Sequence, residues 1–172
     1  MNINDYVDKA TLDLAKCQSL GERRMKAGQR LTKHTGFDNG KREQFHINGV
    51  MGEVSFMLMA GIQEPYAIVE RSIFTQSGGN YDSPDIVLGG KTIDVKTSGY
   101  FPCHLLVPQY KYIRCDLYVL MCIRKERIFY LGCMEYNDIV KPERLFKDWN
   151  LPCYRAHMNE LYDLPIVMEA RK

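Results

Sequence analysis

The feature that most constrains the fold is a Gly89-Gly90 pair that separates two short apolar runs. Two such residues between strand-like segments are a strong β-hairpin signal, because glycine accepts the positive φ values of a two-residue turn. The turn also sets the register of the two strands. Residues equally far from it face each other, which gives the pairs Leu88 with Lys91, Val87 with Thr92, Ile86 with Ile93 and Asp85 with Asp94.

The predicted register brings two carboxylates together. Directly opposite residues share a face, with Cβ atoms roughly 4.5–5.5 Å apart, so Asp85 and Asp94 are expected to be neighbours. Side chains alternate along a strand, which puts Lys96 on the same face as Asp94. Opposed like charges need a cation, either Lys96 or a hard divalent ion such as Mg²⁺. A solvent-facing hairpin with a surface ion pair is the alternative, and geometry alone does not separate the two.

The rest of the chain predicts helices followed by a run of strands. Apolar periodicity, turn residues and β-branched runs give a helix over 4–20, a loop over 32–40, a helix over 45–60 that stops at Gly61, a strand over 67–74, a polar loop over 76–83, strands over 85–88 and 91–97, a short helix over 108–115, and a strand pair over 117–123 and 127–133. This order predicts an α/β (α+β) fold with a central mixed β-sheet flanked by helices.

Length and composition narrow the class of protein further. A chain of 172 residues fits one domain, 1–172. No apolar run approaches the roughly 20 residues that cross a bilayer, and the first eight residues do not form a signal peptide, so we expect a cytoplasmic protein without a membrane partner. The six cysteines lack the short spacings of a zinc site and are predicted to be buried free thiols.

The hairpin residues also carry a family resemblance. Pro84-Asp85, eight further residues and then Asp94-Val95-Lys96 resemble the signature of the PD-(D/E)XK nuclease superfamily. The predicted element order is similar as well, with an acid-bearing helix before the hairpin and a helix and strand after it. The resemblance covers about residues 45 to 132 and implies a restriction-endonuclease-like core. It divides the domain into a basic helical segment (1–44), a catalytic core (45–133) and a C-terminal extension (134–172).

The resemblance implies a role for each motif residue. Asp85, Asp94 and the Val95 carbonyl would bind Mg²⁺ or Mn²⁺, and Lys96 would orient or activate the attacking water. A glutamate from the helix before the sheet often joins the metal ligands and catalytic residues, and Glu53 fits that role. Glu53 is the only charged residue between His46 and Gly61, and a lone carboxylate is costly to bury without a partner. Gly49 and Gly52 would allow close approach of this helix to the sheet, whereas an exposed Glu53 on its outer face is the alternative.

Several other side chains are candidates for contact with nucleic acid. A basic stretch can neutralise phosphates or can form a solvated face; it contains Arg23, Arg24, Lys26, Arg30, Lys33, Lys41 and Arg42. Weaker candidates near the motif are His46, Thr97, Ser98, Gln109 and Lys111. The numerous tyrosines could stack on unpaired bases, although most are expected to pack in the sheet or at its rim.

These observations predict a metal-dependent endonuclease or other deoxyribonuclease that hydrolyses DNA phosphodiester bonds. The resemblance to the superfamily implies a setting in phage or mobile-element recombination, repair, restriction or DNA degradation. A structure-selective or RNA-cleaving nuclease of the same fold, a non-catalytic nucleic-acid-binding module, and an interaction domain with a coincidental motif stay open. A homodimer stays open too.

Overall fold

The computed structural model describes residues 5–29, 39–77, 84–109, 115–147 and 152–164. The helices are α1 (Leu14–Gln29), α2 (Asn39–Met59), α3 (Pro65–Ser77) and α4 (Tyr136–Ile139). The strands are β1 (Tyr6–Asp8), β2 (Ile86–Leu88), β3 (Lys91–Ser98), β4 (His104–Pro108), β5 (Leu117–Arg124), β6 (Arg127–Glu135), β7 (Leu145–Phe146) and β8 (Cys153–His157).

A curled five-stranded sheet forms the centre of the fold, in the order β1-β6-β5-β3-β2. Strands β3 and β5 are parallel and the other pairs are antiparallel, so the sheet is mixed. Apolar residues from α1, α2 and α3 pack on one face of it. The other face is covered by α4 and by a three-stranded sheet in the order β4-β8-β7. The predicted central mixed sheet flanked by helices is confirmed.

The hairpin has the register that its turn predicts. Ile86 pairs with Ile93, Val87 with Thr92 and Leu88 with Lys91. Gly89 and Gly90 have φ values of 58° and 78°, which L side chains rarely adopt. The second predicted strand pair is confirmed as β5 and β6, which meet at a turn containing Lys125.

Helix α2 is confirmed and is longer than predicted, since it begins at Asn39. It ends as expected before Gly61, whose φ of 69° is the left-handed conformation typical of a residue that follows a helix. The Ile62 N–H then donates to the Met57 carbonyl at 2.9 Å and satisfies part of the last turn.

The predicted strand over 67–74 is wrong, because α3 occupies this segment. Its β-branched residues suggested a strand, yet Val69 and Ile73 lie one helical turn apart and both are buried in the helical layer. Pro65 begins the helix, where its fixed φ suits the first turn. Tertiary packing of one apolar stripe therefore outweighs local β propensity here.

The predicted helix over 4–20 is wrong in its first half. Tyr6–Asp8 is an edge strand paired with β6, and α1 begins only at Leu14. The start is set by Asp13, whose Oδ1 accepts the Lys16 N–H at 2.9 Å and so caps the first turn.

The remaining predicted segments are only partly described. The short helix over 108–115 falls mainly on residues 110–114, outside the described ranges, and the unpredicted strand β4 precedes it. Of the predicted loop over 32–40, the structure describes only residues 39 and 40, which begin α2. Of the predicted loop over 76–83, it describes only residues 76 and 77, which end α3. All six cysteines are free and buried, as predicted. Within the described ranges, no helix has both the length and the apolarity needed to span a membrane.

Candidate metal centre

A close approach between α2 and β3 forms one wall of the site. A Cβ placed on Gly52 would lie 2.0 Å from Thr97 Oγ1 and 3.1 Å from Thr97 Cβ, distances that ordinary side-chain packing excludes. Glycine at position 52 therefore lets the helix backbone lie directly against the strand. The neighbouring Glu53 is carried into the interior and is only 4% exposed, so the exposed alternative for this glutamate is wrong.

The two hairpin aspartates lie at the end of the β2–β3 ladder. Strand β2 begins at Ile86, so Asp85 stands just before it and would be the next residue opposite Asp94. Asp85 continues the ladder with its side chain, since its Oδ2 accepts the Val95 N–H at 2.8 Å. The N–H and C=O of one strand residue point to the same side, so the Val95 carbonyl is directed toward the Asp85 side as well.

Asp94 and Lys96 form an ion pair on the face of β3 opposite α2. Asp94 is 1% exposed, and its Oδ2 contacts Lys96 Nζ. Apart from that contact, Asp94 Oδ2 has no hydrogen-bond partner among the described residues. The Lys96 ammonium also lies 5.9 Å from the centre of the Tyr118 ring. Burial acts to lower the pKa of Lys96, but attraction to Asp94 and Asp85 outweighs it and raises the pKa, so the ammonium stays charged.

Arg24, a predicted nucleic-acid contact, is largely buried and pairs with Glu53. Its guanidinium donates two hydrogen bonds to the Glu53 carboxylate, from Nη1 to Oε1 at 2.5 Å and from Nη2 to Oε2 at 2.7 Å. Both side chains are largely buried. Burial acts to lower the pKa of Arg24, but Glu53 outweighs it and the net shift is upward. The Glu53 carboxylate, which is costly to bury alone, therefore has its partner on α1. No spacing in the sequence indicated that this partner is Arg24.

The site has more negative than positive charge. Three carboxylates (Glu53, Asp85 and Asp94) influence one another there, and two cations (Arg24 and Lys96) oppose them. Arg24 pairs with Glu53 and Lys96 pairs with Asp94, whereas no described residue forms an ion pair with Asp85. Burial, then repulsion from Glu53 and Asp94, raise the pKa of Asp85 well above its usual range. A bound cation would relieve this imbalance.

The three predicted carboxylate ligands do not form one metal-binding group. In the described part of the chain, no three His, Cys, Asp or Glu side chains are grouped closely enough to hold a metal. The prediction that Glu53 is a metal ligand is not supported, and its two carboxylate oxygens accept hydrogen bonds from Arg24 instead. Asp85, Asp94 and the Val95 carbonyl offer hard oxygen donors of the kind that Mg²⁺ accepts while it keeps several waters.

The weaker predicted contacts are scattered. Arg23 pairs with Glu70 at 2.6 Å, Lys26 is exposed, and Arg42 and His46 are half-buried. The structure does not describe Arg30, Lys33, Lys111 or the side chain of Lys41.

The predicted contacts after the motif have mixed surroundings. Thr97 faces α2, and its Oγ1 is buried without a hydrogen-bond partner in the described ranges. Ser98 Oγ accepts the Tyr100 N–H at 3.1 Å and donates to the Tyr100 carbonyl at 3.3 Å. Gln109 is exposed.

A groove that the sequence did not reveal opens beside Lys96. It encloses about 570 Å³ and lies between the N-terminal half of α2 and the turn after β3. Two exposed aromatic residues, Phe45 and Tyr100, are part of its lining. Their separation of 55 positions in the chain hides the pairing, and an apolar residue exposed on a helix gives no functional signal by itself.

Comparison with protein-family models, with curated proteins and with solved structures found no match to this chain. The resemblance to the PD-(D/E)XK superfamily therefore stays a prediction that rests on the motif residues. One described feature differs from the expected element order: β4, a strand of the small sheet, lies in the connection between β3 and β5.

Proposed function

We propose that this chain is a metal-dependent nuclease that hydrolyses DNA phosphodiester bonds. The observation that carries the proposal is the end of the β2–β3 hairpin, where Asp85 accepts the Val95 N–H next to the buried Asp94, which is paired with Lys96. A half-buried carboxylate (Asp85) close to two buried, ion-paired carboxylates is costly as a purely structural arrangement, and function is a common reason for such a cluster.

Each residue of the candidate site has a distinct role in this proposal. Asp85 and Asp94 would hold Mg²⁺ or Mn²⁺ together with the Val95 carbonyl. The bound ion would make its own water more acidic and would offset charge on the scissile phosphate. Lys96, kept charged and oriented by Asp94, has N–H donors left to position a water or a phosphate oxygen. The Arg24–Glu53 pair acts as a support behind these groups, and we propose a positioning role for Glu53.

The test is cleavage of a panel of nucleic acids by the full chain, with Mg²⁺, with Mn²⁺ and with EDTA. The panel contains supercoiled, linear, single-stranded and branched DNA, and RNA. The site variants are Asp94→Asn and Lys96→Ala. We expect metal-dependent DNA cleavage that falls about 100-fold or more in both variants, because each removes a group at the reacting centre.

Matched controls are available at or beside the opposite end of β3. Asp116→Asn alters an exposed carboxylate that bonds to Thr92, and Lys91→Ala removes an exposed lysine on β3. Both controls should cleave as the wild-type protein does. The proposal is overturned if no substrate is cut with either metal, or if the site variants keep the wild-type rate.

The same panel decides between the alternatives. Cleavage confined to RNA or to branched DNA would replace the proposal with one of its two nuclease rivals. Salt-sensitive binding without cleavage, retained in Asp94→Asn and Lys96→Ala, would indicate a non-catalytic binding module.

A further inference from the structure

The groove beside Lys96 has the chemistry of a site for an unpaired base. Its apolar lining includes Leu106 and Leu120, and its polar lining includes Gln44 and Asn48. Lys96 belongs to the same lining with 27% of its side chain exposed, so the groove opens directly on the candidate metal centre.

The two aromatic residues of the groove are unusually accessible. Phe45 is 59% exposed and Tyr100 is 76% exposed, although burial of large aromatic side chains is favourable. Both stand on well-held backbone. Phe45 lies within α2, seven residues before Gly52, which places it about 10 Å along the same helix face from the contact with β3. The Tyr100 backbone is fixed by its two bonds to Ser98.

The amides beside Phe45 can read polar base edges. Gln44 Nε2 donates to Asn48 Oδ1 at 2.8 Å, which orients both side chains. Within the described ranges, the bond leaves the Asn48 amino group and the Gln44 carbonyl oxygen available as a donor and an acceptor. Aromatic faces, oriented amides and an ammonium therefore occur together in one groove.

We infer that this groove binds an unpaired nucleotide of a DNA strand, with its base stacked on Phe45 or Tyr100 and its phosphate directed to Lys96. The inference rests on the proposed nuclease function and assigns its substrate class: single strands, frayed ends or flaps. A base inside a duplex has both faces covered by its neighbours, so exposed aromatic rings can stack only on a base that has left the helix.

The test measures binding without hydrolysis. A short single-stranded deoxyoligonucleotide carrying one 2-aminopurine is titrated with the full chain in EDTA, and the fluorescence reports stacking of that base. We expect Phe45→Ala and Tyr100→Ala to weaken binding by about 5- to 150-fold and to remove the stacking signal, because base–aromatic stacking is worth roughly 1–3 kcal/mol per base. Phe45→Trp keeps a stacking surface and should retain both.

The control is Tyr162→Ala, which removes another exposed aromatic ring next to β6, on the far side of the central sheet from β2. It should bind as the wild-type protein does. The inference is overturned if both groove variants stay within twofold of wild type, or if a blunt duplex with the same base binds as tightly as the single strand.

Failure of this inference differs from failure of the proposed function. Stacking that depends on Phe45 and Tyr100, with no cleavage of any substrate, would remove the nuclease and keep the groove. Metal-dependent cleavage at equal rates on blunt duplex and single strand, unchanged in both groove variants, would keep the nuclease and remove the groove.

Discussion

Substitution of Gly52 by alanine probes the contact that brings α2 to the sheet. The new methyl group would lie 2.0 Å from Thr97 Oγ1, far inside van der Waals contact. Rotation of the Thr97 side chain moves the hydroxyl away but leaves its Cβ at 3.1 Å, which is still tight. Helix and strand must therefore separate by several tenths of an ångström at least, and the residues of the candidate site on both sides move with them.

The magnitude follows from two opposing effects. Overpacking a close contact costs roughly 1–3 kcal/mol, whereas alanine in place of a helical glycine gains about 0.5–1 kcal/mol. We expect Gly52→Ala to lower the free energy of unfolding by about 1–2 kcal/mol, measured by urea denaturation. Removal of the obstructing hydroxyl and methyl groups in Gly52→Ala with Thr97→Ala should recover part of that loss.

Gly49 provides a matched control one turn earlier on α2. A Cβ there would be 3.7 Å from the nearest atom, Arg24 Nη1, which is an ordinary contact. Gly49→Ala should therefore be neutral or stabilising by up to about 1 kcal/mol. Equal stability of the Gly49 and Gly52 variants would refute the close approach of α2 and β3, and with it our account of why Glu53 is buried.

Three further predictions concern buried or half-buried ionisable groups. Arg24→Met leaves the Glu53 carboxylate buried and unpaired, and should lower the free energy of unfolding in urea by about 3–5 kcal/mol. Adding Glu53→Gln should recover much of this loss, and a loss below about 1 kcal/mol would contradict a buried pair. Burial, followed by the charges of Arg155 and His157, lowers the pKa of His104 below 6.5 in the folded protein. The unfolded chain therefore binds more protons at this histidine. The stability due to His104 is complete above pH 6.5 and is lost as the pH falls through the folded pKa. An NMR titration should place this pKa below 6.5 and find it higher in Arg155→Gln; a value of 6.5 or above in the wild-type protein would contradict it. Burial raises the pKa of Cys17 to about 11, and because all six cysteines are buried, a thiol reagent at neutral pH should react only after unfolding, whereas fast labelling of the native chain would contradict this.

The parts of the fold set by local chemistry were predictable from sequence. Gly89-Gly90 dictates a turn whose register follows by counting, and Gly61 ends α2 for an equally local reason. The position of Asp85 near Asp94 follows from the same count. These features depend on the conformations that glycine allows and on the alternation of side chains along a strand.

The parts set by distant partners were not predictable. The segment of α3 has residues that suit a strand, and only the helical layer that buries Val69 and Ile73 makes it a helix. Tyr6–Asp8 is a strand because β6 offers an edge more than 100 positions later in the chain. The sequence indicated that Glu53 needed a partner but could not select Arg24 from a row of similar basic residues. The groove requires a helix and a turn whose relative placement no local pattern encodes.

The short strand β2 has a consequence for self-association. Within the described ranges, no strand pairs with β3 beyond Ile93 on that side, and its last five residues have the features of an open sheet edge there. Open edges recruit strands from other molecules, and inward-pointing charges are a common protection. Asp85 occupies the Val95 N–H that an incoming strand would use, and Asp94 and Lys96 set buried charge beside it. We therefore expect the carboxylates proposed for chemistry also to hinder the addition of one copy of the chain to the sheet of another.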